Sequence, residues 1–197
     1  MKSIEIIGFK RANLDGADLK ELRANGNVPC VVYGPGIKEQ IHFHSPAILF
    51  RDLIYTPEVH MVDLNIEGVK INAILRDAQF HPVSEMLLHV DFLAYSEDKA
   101  ITMDIPVEIK GSSPGILKGG KLEMKSRTLK VKGLAKNLPD SITVNISHLE
   151  LGKSAKVHEI KVEGFEILTN PSVSIATVGI PRTLRGKQDE EGTEEEV

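Results

Sequence analysis

The stretch QFHPVSEMLLHVDF (79–92) sets two histidines, an aspartate and a glutamine close together in an otherwise β-like sequence. His89 and Asp91 stand at i and i+2, so on a strand they point to one face, and His42 and His44 in HFHS do the same. Two such pairs side by side have the donors of a zinc site, imidazole nitrogen and carboxylate oxygen, with a position open for a water nucleophile; that is metal-dependent hydrolase chemistry. The same side chains satisfied by backbone or carboxylate partners on a half-exposed sheet hold no metal at all. Around them the chain has no H-E-x-x-H, paired cysteines, nucleophile elbow, Walker loop or dinucleotide fingerprint. Its one glycine-rich candidate, YGPGIKEQ, lacks the lysine-serine pair and the following helix. Cys30, the single cysteine, sits in the apolar run VPCVVYG and reads as a small core residue in a reducing compartment.

A second chemistry is recognition of nucleic acid. Lys10, Arg11, Lys20, Arg23 and Arg76 are cations for phosphates, while Tyr33, Gln79, His81 and His89 offer stacking or hydrogen bonds to bases and 2′-hydroxyls. Each also has an ordinary structural use: Arg23 can cover the helix it ends, Tyr33 can be a strand aromatic, and His81, before Pro82, can shape a turn. The formal net charge of −4 confines any nucleic-acid surface to a local patch.

The elements that must position these residues are mostly strands. SIEIIGF alternates; LDGADLKELRANG reads as a short helix capped by Asp15 or Asp18 and ended by Gly26. VPCVVYG and EQIHFH form a hairpin around GPG, and HSPAILFRDLIY reads as a second helix with Ser45 as N-cap, Pro46 at its first position and Ile48, Leu49 and Leu53 on its apolar face. VHMVDLNI, the turn EG and VKINAILRDAQF make another hairpin, followed by the strand MLLHVDFLAY. The first domain, 1–94, is thus a β unit of roughly six strands with two short helices. Past a polar stretch at 94–100, ITMDIPVEIK, RTLKVKGL, SITVNISHL, KVHEIKV and SVSIATVGI are short and alternating, so 95–183 reads as a second, all-β domain, with GSSPGILKGGKLEMKS as an extended loop. The acidic end, 184–197, has too little apolar content to offset ordering and is expected to be disordered. No apolar run reaches the roughly 20 residues of a membrane span, and the N-terminus alternates instead of forming a signal-peptide core, so a cytoplasmic location is expected.

LRANGNVPCVVYG (22–34), RDAQFHP (76–82) and LHVDF (88–92), in that order, resemble the L-twenty-five family of bacterial large-subunit ribosomal proteins. GGKLE and LPDSITVNISHLELGKS are similar to the extra β-domain of its longer members, the general stress protein CTC type. The resemblance covers essentially 1–183. It implies a noncatalytic protein whose first domain is a β-barrel that binds the loop E region of 5S ribosomal RNA through its minor groove. It implies that Arg11, Lys20 and Arg23 meet phosphates, and that Tyr33, Gln79, His89 and Asp91 help form the RNA-facing surface; Arg76 and His81 are further RNA-binding candidates from the residue reading alone. No cofactor is implied, any magnesium belonging to the RNA. The implied partners are 5S ribosomal RNA, the large ribosomal subunit and neighbouring ribosomal proteins, the free chain being a monomer. The rival readings are the hydrolase and a protein-interaction β-module.

One segment departs from the family pattern. Where a glycine-lysine-glycine stretch and two arginines are usual, this chain has Asp15, Asp18 and Glu21 and keeps Lys20. In the second domain, 117–136 carries seven lysines or arginines against one glutamate, a candidate for nonspecific RNA contact or an ordinary solvated face.

Overall fold

The computed structural model describes residues 2–11, 15–96, 98–160, 162 and 164–181. The acidic stretch 184–197 lies outside the described residues. Two compact units result, Met1–Met103 with Gly133–Asp140, and Asp104–Lys132 with the chain from Ser141 onward.

The elements of the first unit are β1 (Lys2–Lys10), α1 (Gly16–Ala24), β2 (Asn27–Tyr33), β3 (Ile41–Pro46), α2 (Arg51–Ile54), β4 (His60–Ile66), β5 (Val69–Phe80) and β6 (Leu87–Ala94). The six strands close into a barrel in the order β1-β3-β2-β6-β5-β4, matching the mainly β fold class read from alternation. Closure needs two parallel pairings, β1 with β4 and β2 with β6, which leave no strand edge in the ring. The period of two sends Val28, Cys30 and Val32 of β2 inward with Phe43, Leu64, Val90 and Phe92, all buried. The Phe43 and Phe92 rings stack at 6.0 Å, and Phe50 adds a second ring against Phe92 at 6.3 Å. Each such side chain contributes about 1.5–3 kcal/mol by leaving water. Burial pushes the Cys30 thiol pKa up, so it stays protonated, as a core residue rather than a nucleophile.

Turn chemistry matches the strands it joins. Between β4 and β5, Glu67 (φ 49°) and Gly68 (φ 90°) form the two-residue positive-φ turn that suits a right-twisted hairpin. After β2, Gly34 has φ 133°, and a Cβ there would lie 2.7 Å from the Ala94 carbonyl oxygen.

The second helix departs from expectation. Ser45 is the penultimate residue of β3 and its Oγ donates to the Ile7 carbonyl of the neighbouring strand β1 at 2.8 Å, so it does not cap. The chain then makes a 3-10 turn, Ala47–Phe50, and the single turn α2; Phe50 and Leu53 are buried, whereas Ile48 is 76% exposed. α1 forms as expected, with Asp15 at its N-cap position, though the Asp15 side chain makes no capping bond.

The second unit carries β7 (Ala100–Lys110, beginning in the first unit), α3 (Pro114–Leu117), β8 (Lys121–Met124), β9 (Thr128–Leu134), β10 (Ile142–Asn145), β11 (Ser154–Lys156), β12 (Phe165–Ile167) and β13 (Ser174–Gly179). These make a four-stranded sheet, β10-β7-β9-β12, and a three-stranded one, β11-β13-β8. The stretch read as an extended loop contains α3, capped by Ser113 accepting from Gly115 N at 3.1 Å, and β8, which pairs with β13. KVHEIKV does not form the expected strand over its described residues: β11 ends at Lys156 and Val157–Glu159 is a 3-10 turn.

Candidate nucleic-acid interface

β2 lies between β3 and β6, and its outward residues tie their outer faces together. His42 pairs with Val31, Val31 with Asp91, and Asp91 with Asp77 of β5, one row across four strands. In the adjacent row Phe9 pairs with His44, His44 with Pro29, and His89 with Gln79; Pro29 and His89 each precede the Cys30–Val90 pair. Gln79, His89 and Asp91 therefore share one outer surface, and Tyr33, two residues beyond Val31, continues it.

Within this surface His89 Nδ1 and Asp91 Oδ1 are 2.6 Å apart, with both side chains 27% exposed. The carboxylate fixes the proton on Nδ1, so in the neutral ring Nε2 is an acceptor. Asp91 thus sets what His89 can present outward.

The remaining candidates lie around this strip. Arg76 is the extra residue of a bulge in β5, between the Leu75–Phe92 and Asp77–Asp91 pairs. It shares a cleft of about 520 Å³ with Tyr33, Pro35, Leu93, Tyr95 and Lys99. Arg11 follows β1, and its N–H donates to the His42 carbonyl at 3.0 Å. Lys20 is exposed on α1. Arg23, half-buried at the end of α1, donates from Nε to the Leu88 carbonyl at 3.1 Å and fastens the helix to β6. His81 is turned into its own loop, where Nδ1 accepts from Val83 N at 3.3 Å and Ser84 N at 3.2 Å.

A shared metal site does not form. β2 separates the His42–His44 pair from His89 and Asp91, His44 stacks on Phe9 at 5.7 Å, and Asp91 is engaged by His89. No group of three or more metal-ligating side chains converges among the described residues. Burial and the nearby Arg11 charge lower the His44 pKa, partly countered by Glu67.

Sequence reasoning passed over Phe9 and Asp77. Strict alternation in SIEIIGF puts Phe9 opposite Ile6 in direction, but its neighbours depend on the β1–β3 pairing. Asp77 joins the Asp91 row only because the Arg76 bulge shifts the register.

Residues 6–92 match the model of the Ribosomal L25p family, and 100–182 match that of the ribosomal protein TL5 C-terminal domain. The chain is 51% identical over 190 residues to the large ribosomal subunit protein bL25 of Cytophaga hutchinsonii, covering 96% of this chain and 97% of that one. The chain belongs to the ribosomal L25p family. Further L25p relatives bear the same name: that of Amoebophilus asiaticus is 47% identical over 193 residues (98% and 97% of the two chains), and that of Bacteroides thetaiotaomicron 45% over 191 (94% and 96%). L25p proteins have a structural role in the ribosome, so this chain is a ribosome-associated cytoplasmic protein and not an enzyme. No helix among the described residues is long and apolar enough to cross a membrane.

Proposed function

We propose that this L25p chain binds 5S ribosomal RNA at its loop E region within the large subunit, through the outer face of the barrel domain, 1–94. The observation that carries the reading is the outward strip of Tyr33, Gln79, His89 and Asp91, in register across β2, β6 and β5. A wide, shallow RNA minor groove admits such a convex sheet face and presents base edges and 2′-hydroxyls to it. Gln79 supplies both donors and an acceptor, and His89 Nε2, with Nδ1–H committed to Asp91, accepts from a 2′-hydroxyl or a base amino group. Tyr33 lies where its ring stacks or its hydroxyl bonds at the rim of the cleft shared with Arg76.

Phosphate contacts come from Lys20 on α1 and from Arg11 beside β3, with Arg23 holding α1 against the barrel. These contacts set register and orientation, while the strip reads shape and base edges. No group on the chain is required to make or break a covalent bond.

The test is a binding competition between a loop E fragment of 5S ribosomal RNA and a hairpin of equal length without the loop E pairs. The full chain should prefer loop E, and Tyr33→Ala and His89→Ala should each weaken that preference by about 1–3 kcal/mol. Equal affinity for the two RNAs would reject the reading.

A further inference from the structure

We infer that Phe9 is a stacking platform for one unstacked RNA base, extending the recognition surface from β2 across β3 onto β1. The inference rests on the RNA reading above and names a contact that this reading does not contain. Phe9 points outward from β1 and is 50% exposed. It stands at the end of the row that runs through His44 and Pro29 toward His89 and Gln79. The His44 ring backs it at 5.7 Å with an interplanar angle of 31°, which holds the phenyl ring in place and leaves part of it open. A half-exposed phenylalanine by itself is ordinary on a protein surface. Here it continues a row of planar polar side chains, and the charge of Arg11 reaches its backing histidine.

The electrostatics suit a nucleotide. The Arg11 main chain is bonded beside β3 to the His42 carbonyl, and burial together with the Arg11 charge lowers the His44 pKa, so Arg11 and not His44 is the cation for a phosphate and the histidine ring serves as backing. Glu67 is the opposing charge in this corner; one of its oxygens accepts from the Lys10 main-chain N–H at 3.1 Å. An aromatic face with a cation two residues along the same chain suits an extruded base and its phosphate, and stacking tolerates any base. The contact adds affinity for a loop with a splayed base and adds none for a continuous duplex.

The experiment uses the full chain and the loop E fragment carrying 2-aminopurine at each unpaired or bulged position in turn. Phe9→Ala should weaken binding roughly 5- to 100-fold, and Phe9→Leu, which keeps apolar bulk without a flat ring, should weaken it comparably. Phe9→Tyr should stay within about twofold of the parent, and the dependence of affinity on salt should be unchanged in all three because no charge is altered. One 2-aminopurine position should be quenched by the parent and not by Phe9→Ala. If Phe9→Ala and Phe9→Leu bind as the parent does while Tyr33→Ala is weakened, the platform is overturned and the RNA reading stands. If the parent itself shows no preference for loop E, both are overturned.

Discussion

Asp91 and His89 act as one unit at 2.6 Å, and the carboxylate decides which ring nitrogen faces outward. Asp91→Asn would remove the charge that holds the Nδ1 proton and let the tautomer relax. The expected result is RNA binding weaker by about 1–3 kcal/mol with unchanged thermal stability, read by titration calorimetry and a melting curve. Because Nε2 as an acceptor is suited to a 2′-hydroxyl donor, replacing the loop E ribose groups by deoxyribose should weaken the parent more than it weakens His89→Ala. Equal losses in both would exclude a 2′-hydroxyl as the partner of His89. At His44 the sign is set by burial and by Arg11: its folded pKa lies below 6.5, so folding disfavours its protonated form. Its contribution to stability is therefore present above pH 6.5 and is lost as pH falls through the lowered value. An NMR titration of the ring should show a midpoint below 6.5 in the parent and a higher one in Arg11→Gln; an unchanged midpoint would refute the charge effect.

Among the strands, β2 joins the two rows, and its exit is fixed by Gly34. With φ at 133°, and with any Cβ at this position only 2.7 Å from the Ala94 carbonyl oxygen, Gly34→Ala must move β2 away from β6 or strain the turn. Urea unfolding should show a loss of about 1–3 kcal/mol, together with weaker RNA binding because Tyr33 precedes the turn. Much of this architecture was legible from alternation: β4, the two-residue turn and β5 follow from VHMVDLNI-EG-VKINAILRDAQF, and the common face of His89 and Asp91 follows from their spacing. What was not legible depends on partners distant in sequence. Ser45 before Pro46 has the local signature of a helix cap, yet its hydroxyl is claimed by Ile7 of the adjacent strand β1, 38 residues back in the chain. β8 hides in a glycine-rich stretch because its pairing partner, β13, lies far along the chain. Phe9 looks like any outward strand residue until β1 is paired with β3, and the Arg76 bulge has no local signal.

Over the molecule as a whole, charge decides how strongly affinity depends on salt. The first-domain helix carries Asp18 and Glu21 beside Lys20, with Asp15 at its cap, in the segment where the resemblance to the family leads one to expect basic residues. Each missing phosphate contact flattens the log-log salt slope by about 0.9, so this chain should bind loop E with a shallower slope than a relative with the basic segment, measured in parallel. The lysine-rich stretch 117–136 is not expected to compensate. Outward Lys130 and Lys132 on β9 adjoin a strand, β7, whose outward residues include Asp104 and Glu108, which makes the sheet face mixed in sign. Lys130→Gln with Lys132→Gln in the full chain should therefore change RNA affinity by less than about twofold. The most direct measurement is a map of amide chemical-shift changes across the labelled full chain as loop E RNA is added. The largest changes should fall at Tyr33, Gln79, His89 and Asp91, on the outer faces of β2, β5 and β6. Changes concentrated in 117–136, or no larger than those caused by a control hairpin, would contradict recognition by the barrel.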